Sequence, residues 1–130
     1  MPILKTVSEK KAKGKVKIIF NDIKKARNIK MIPNFWKTIA TDPDTLERTW
    51  NSLQQVMQKG AINPLVKEMI YVAVSMTNSC EYCIRSHTLA AKKKGMSNKM
   101  LKELIAVVAM ANETNKLVES YQVEVDKFLK

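Results

Sequence analysis

Residues that punctuate turns are scarce in this chain: three glycines and four prolines among 130 residues. So little turn chemistry, beside abundant methionine, leucine, lysine and alanine, favours an all-helical protein. Long apolar runs are missing too. The longest, such as "MIYVAVSM", fall far short of the roughly 20 residues of a membrane-spanning helix, so no membrane span is expected. The N-terminal "MPILKTVSEKKAKGKVK" has neither an apolar h-region nor a small-residue cleavage site. It therefore reads as no signal peptide, and the protein as cytoplasmic. There is no internal repeat and no low-complexity tract. Two cysteines and one histidine are the whole stock of thiols and imidazoles.

Apolar side chains are plentiful, at 45% of the residues, which excludes a disordered polypeptide. The length suits one domain with a sizeable core. The formal net charge of +11 is unevenly spread. Residues 1–30 carry ten Lys/Arg against Glu9 and Asp22, a net of +8; the remaining hundred carry thirteen against ten, a net of +3. Basicity thus belongs to an N-terminal segment, residues 1–32, ahead of a nearly balanced helical domain at 33–130. Such a segment invites nucleic acid or an anionic membrane surface as partner. It lacks interleaved aromatics and any nucleic-acid motif, so nucleic acid is not an expected partner. A solvated face on an amphipathic helix is the simpler reading.

Helical periodicity runs through the chain. Val16, Ile19, Phe20, Ile23 and Ala26 form one stripe, and Thr6 with Glu9 offers a capping box ahead of it. "PNFWKTIA" reads as a short helix or turn. In "TDPDTLERTWNSLQQVMQKG", Asp42 caps, Pro43 takes the first helical position and Gly60 stops the helix, whose buried face is Leu46, Trp50, Leu53 and Met57. Asn63 and Pro64 repeat that start signal for "NPLVKEMIYVAVSMTNS", which is apolar almost all round, as in a central or interface helix. Asn78 or Ser79 caps the next helix, which runs to about Lys94 with Gly95 as its stop. Ser97 caps another, with Leu101, Leu104, Ile105 and Val108 as its stripe. A last helix over about 113–129 presents Leu117, Tyr121, Val125 and Phe128. The expected fold is all-α: a single-domain bundle of six to seven helices.

Both cysteines and the only histidine fall within eight positions, in "CEYCIRSH". In the cytoplasm a close cysteine pair is more often redox-active or metal-binding than a structural staple. At about 100° per residue, Cys83 lies about 60° from Cys80 in projection and His87 about 20°, so all three share a face. Cβ atoms three or four residues apart are about 5–6 Å from each other, which suits a reversible disulfide. The free N–H groups and positive dipole of a helix start favour thiolate, the nucleophile of disulfide exchange and of peroxide attack. Metal binding is a competing reading, with Cys80, Cys83 and His87 as ligands and Glu68 as a fourth. Structural zinc normally uses two separated ligand pairs, and the chain has no second pair. Covalent haem needs histidine directly after the second cysteine, where Ile84 stands. An inert, structural trio is the third reading.

Glu68 has no cation three or four residues away on its own helix, and it shares a face with Leu65, Val72 and Ser75. A carboxylate there needs a partner from elsewhere: His87, Arg85 or a lysine. If two helices turn back at Asn78–Ser79, Glu68 is ten residues before the turn and His87 eight after it. Those are rises of about 15 and 12 Å, so antiparallel packing brings the two to similar height. Glu68 is then placed to orient His87 or to relay a proton through it.

The spacing Glu68, eleven residues, Cys80, two residues, Cys83, three residues, His87 resembles the signature of alkylhydroperoxidase D-like (AhpD-like) proteins in the carboxymuconolactone decarboxylase-like superfamily. "AAKKKGMSNKMLKEL" also has that family's glycine, capping serine and following helix; the strong match covers about residues 63–112. The resemblance implies an all-helical fold assembling as trimers or hexamers. It implies a thiol peroxidase or disulfide oxidoreductase that reduces hydroperoxides or passes electrons to a peroxiredoxin. By it, Cys83 is the thiolate activated by His87 and Glu68, and Cys80 is the more exposed partner that closes the disulfide. Substrate would be a hydroperoxide or a disulfide, and a peroxiredoxin or dithiol reductant the partner; no cofactor or resident metal is expected. The family's decarboxylases typically lack the pair, so both cysteines argue against decarboxylation. The chain departs from the best-known member at Tyr82, where that member has a second histidine. An unperturbed phenol ionises far above neutral pH and is a poor replacement base. The alternative function class is a non-enzymatic metal-binding or basic interaction protein.

Overall fold

A computed structural model describes all residues, 1–130. Six α-helices account for the regular structure: α1 Gly14–Arg27, α2 Asn34–Ile39, α3 Pro43–Met57, α4 Pro64–Thr77, α5 Glu81–Lys93 and α6 Asn98–Ser120, with short 3-10 turns at Glu9–Lys11 and Lys127–Leu129 and no strand. The all-α expectation holds. Contacts gather into two compact units, Met1–Gln58 and Lys59–Lys130. The boundary expected after residue 32 lies inside the first of these, because α1 packs against α3.

In the first unit, Val16, Ile19, Phe20 and Ile23 of α1 are buried with Ile32, Trp36, Leu46 and Trp50. Ala26, expected on that stripe, is exposed. The two indoles meet edge to face, with centroids 5.4 Å apart, and Trp50 Nε1 donates to Asp22 at 2.6 Å. The Thr6–Glu9 capping box does not form. Glu9 is used across the fold instead: it accepts the Ile32 N–H at 2.8 Å and pairs with Lys24. Asp42 caps α3 as expected, accepting from the Asp44 N–H at 3.2 Å. That helix stops at Met57, before Gly60, with Gln58 extended.

The second unit holds α4, α5 and α6. Asn63 caps α4 at 2.8 Å from the Leu65 N–H, and Ser97 caps α6 at 3.1 Å from the Met100 N–H. Two hydrogen bonds close the turn after α4: Cys80 N–H to the Ser75 carbonyl and Ser79 N–H to that of Met76, at 3.0 and 3.2 Å. This 6→1 and 5→2 pattern forces the residue between into the left-handed region. Ser79 is there, with φ +56°. The turn after α5 repeats the pattern with glycine, Gly95 at φ +109°. Reversal at both turns lays α5 against α4 and leads into α6, which packs on α4.

The two helices expected over 97–129 are one helix that ends at Ser120. Asn112 and Thr114 look able to cap a new helix. Their side chains instead bond back to the carbonyls of Val108 and Ala111, at 2.8 and 3.1 Å, and leave the ladder unbroken. Val125 and Phe128 therefore lie outside it. Few side chains of this unit are buried: Glu68, Val72 and Ser75 on α4, Ala91 on α5 and Met96, with none on α6. Val66, Ile70 and Val74, four residues apart, form an exposed stripe on α4. Val107, Met110, Leu117 and Val118 of α6 are exposed as well. No helix is long and apolar enough to cross a membrane.

Candidate active site

Glu68, Cys80, Cys83 and His87 all lie in the second unit, on α4 and on the start of α5. Cys80 and Cys83 form a disulfide with Cα atoms 5.3 Å apart, so the pair is oxidised. Cys80 is not in the first helical turn, and neither Asn78 nor Ser79 caps α5. Closing the α4 turn takes Ser79 into the left-handed region, and the cap position passes to Cys80. Its Sγ accepts the Cys83 N–H at 3.3 Å. One of the orphan donors at the helix start is thus spent on sulfur, which favours negative charge there. Both cysteines are half-buried.

Antiparallel packing of α4 and α5 brings Glu68 and His87 together. Glu68 Oε2 and His87 Nδ1 are 2.7 Å apart, with side chains 8% and 14% exposed. Glu68 thus accepts the Nδ1 proton and leaves Nε2 as the ring nitrogen that can exchange protons. Arg85, another candidate partner for Glu68, pairs instead with Glu81 at 3.0 Å on the surface. Burial works to raise the Glu68 carboxyl above its ordinary range. The His87 hydrogen bond and charge and the Lys94 ammonium outweigh it, and the group is held below that range.

Two neighbours complete the site beyond the residues that the motif contains. Tyr71, one turn after Glu68, stacks on the imidazole with ring centroids 3.5 Å apart and planes at 18°. It fixes the ring plane, and a π face favours a cation over it. Lys94 Nζ lies 3.6 Å from Glu68 Oε1, the oxygen that His87 does not use. The signals were positional: Tyr71 is three residues from Glu68, and Lys94 is seven, or two turns, from His87. Lys92, Lys93 and Lys94 read as one solvated run complementing the end of α5, which hides that one of them turns inward.

The set can hold a thiolate, shuttle a proton through His87 and cycle between dithiol and disulfide. The side chains do not converge on a metal: no three His, Cys, Asp or Glu group as ligands.

Comparison with known proteins gives consistent results. Residues 43–123 match the model of the carboxymuconolactone decarboxylase family. The crystal structure of the alkylhydroperoxidase AhpD core from Rhodospirillum rubrum superposes with a TM-score of 0.95 and 40% identity, covering 100% of this chain and 98% of that one. "Uncharacterized protein 4 in cox locus" of Paracoccus denitrificans is 35% identical over 54 residues, 42% of this chain. The matching stretch spans about half that relative, 49% of its length.

Proposed function

The chain belongs to the carboxymuconolactone decarboxylase family as an AhpD-like member, and from that premise we propose that it is a thiol peroxidase or disulfide oxidoreductase working through Cys80 and Cys83. One observation carries the reading: Glu68 of α4 holds His87 at 2.7 Å in a buried pair, and His87 lies on α5, the helix whose start carries the Cys80–Cys83 disulfide. The cycle starts from the dithiol. His87, oriented by Glu68, takes the Cys83 proton, and the thiolate attacks the hydroperoxide. The O–O bond breaks, Cys83 becomes a sulfenic acid, and the proton leaves with the alkoxide as alcohol. The Cys80 thiol then displaces water from the sulfenic acid and closes the disulfide. An incoming dithiol then reduces the disulfide by exchange and restores the pair; where a peroxiredoxin disulfide takes the place of the hydroperoxide, the reduced pair gives it two electrons, becomes the same disulfide and is re-reduced by the dithiol in the same way. The cytoplasm, with its thiol reductants, suits such a pair.

The protein works as a homo-oligomer, a trimer or a hexamer. Support comes from family membership and from the apolar surface of α4 and α6, more than a monomer usually leaves in water.

The test is turnover of an organic hydroperoxide with a dithiol as reductant. Cys83→Ser should abolish it, and His87→Ala should lower it by about two orders of magnitude, the usual loss of a positioned general base. Unchanged turnover in Cys83→Ser sinks the mechanism.

A further inference from the structure

Lys94 ends α5, and its ammonium reaches back to Glu68. The Glu68 carboxylate is shared: Oε2 takes His87 Nδ1 at 2.7 Å and Oε1 faces Lys94 Nζ at 3.6 Å. At 3.6 Å the ammonium acts through charge more than as a hydrogen-bond donor. Its side chain is 42% exposed, whereas those of Glu68 and His87 are 8% and 14% exposed. Lys94 is therefore the member of the trio in touch with solvent.

That arrangement has a chemical consequence. An ionised carboxylate bonded to one nitrogen of an imidazole favours the protonated ring. A ring that keeps its proton cannot accept one from a thiol. A cation on the other carboxylate oxygen weakens that hold. Tyr71, stacked on the ring, works the other way, because its π face favours the cation. From α5, Cys83 lies four residues, about one turn, before His87, and Cys80 is the cap ahead of the helix. From α6, Asn112 Nδ2 donates to Thr77 Oγ1 at the end of α4, and the ionised residues Lys99, Lys102, Glu103, Glu113, Lys116 and Glu119 are exposed. No second cation is placed on Glu68 from any of these elements.

We infer that Lys94 is a positioning residue of the site, whose ammonium tempers the grip of Glu68 on the His87 proton so that the ring can both take up and release the proton of a cysteine thiol. The inference rests on the thiol-cycle reading above. Lys94 does not touch the sulfurs' chemistry; it acts through Glu68.

His87 is the chain's one histidine, so its ring signals stand alone in an NMR spectrum of the full protein. The experiment titrates those signals with the disulfide intact in wild type, Lys94→Met and Lys94→Arg. Lys94→Met should move the His87 midpoint upward by about half a pH unit, the size expected of one partly screened charge. Lys94→Arg should leave it in place. Lys94→Gln, polar but neutral, should follow Lys94→Met and separates charge from packing. An unmoved or lowered midpoint in both neutral variants overturns the inference, as does an arginine variant that behaves like them. Hydroperoxide turnover is measured in parallel. A moved midpoint in a wild-type background without turnover overturns the peroxidase reading alone. An unmoved midpoint with turnover intact overturns the role of Lys94 alone.

Discussion

Glu68→Gln probes the buried pair with little change of shape. The amide fits the same space and can still accept from His87 Nδ1, so no cavity opens and the loss is mainly that of charge. Hydrogen bonds to charged groups contribute about 1.5–3 kcal/mol and neutral ones about 1 kcal/mol. The difference sets the cost at about 1–2 kcal/mol near pH 7. Removing one partner of a buried ion pair can cost about 3–5 kcal/mol when the other is left buried and charged. Neither cation is trapped here. Lys94, 42% exposed, turns to water, and His87 can shed its proton, so the lower figure applies.

The pH dependence gives the sharper test. Burial opposes the Glu68 charge, but His87 and Lys94 prevail and depress the folded carboxyl. A depressed carboxyl adds stability that is complete above its unfolded value, about 4.3, and is lost as pH falls through the folded value. Urea unfolding of the oxidised protein, wild type beside Glu68→Gln at equal concentration, reads both effects. The midpoints should differ by the full amount at neutral pH and converge as pH drops below about 4.3. Equal midpoints at neutral pH, or a gap that persists in acid, would refute the charge-based account.

Other consequences of the structure are as open to measurement. At Gly95, φ is +109° and a Cβ would meet nothing within 4 Å, so Gly95→Ala should cost about 1–2 kcal/mol in urea unfolding through backbone strain alone. Ser79→Gly should go the other way by up to about 1 kcal/mol, since serine already holds φ +56° and glycine accepts it. Sedimentation should give the wild type as a trimer or hexamer, and Val107→Glu with Met110→Glu on the exposed α6 face should yield monomers; an unchanged mass would exclude that face from the assembly.

The Glu68–His87 contact was legible because it depends on simple geometry. Helical rise, one reversal near Asn78–Ser79 and an apolar face without a cation suffice to bring the two together, and the 2.7 Å contact follows. Helix starts at Asp42, Asn63 and Ser97 were legible for a similar reason, since each cap is decided by two or three adjacent residues. The misses share a different cause. At Ser79 a local preference met a tertiary demand: serine favours a cap, but the α4–α5 reversal needed a left-handed residue, and Cys80 became the cap. At Asn112 and Thr114 the same polar side chains can start a helix or bond back onto one, and the sequence alone does not choose between them.

Lys94 shows most clearly where pattern reading stops. In a run of three lysines each is equally fit to face water, and helix-end electrostatics explains all three alike. Only the register between α4 and α5 singles out the one whose ammonium reaches Glu68. The carboxylate that holds His87 is thereby shared with a residue that the CxxC and histidine spacing does not contain. Chains that share Glu68, Cys80, Cys83 and His87 need not share the proton affinity of the site. Tuning can lie at the far end of α5, two turns from His87, where a single substitution alters the base without altering the motif.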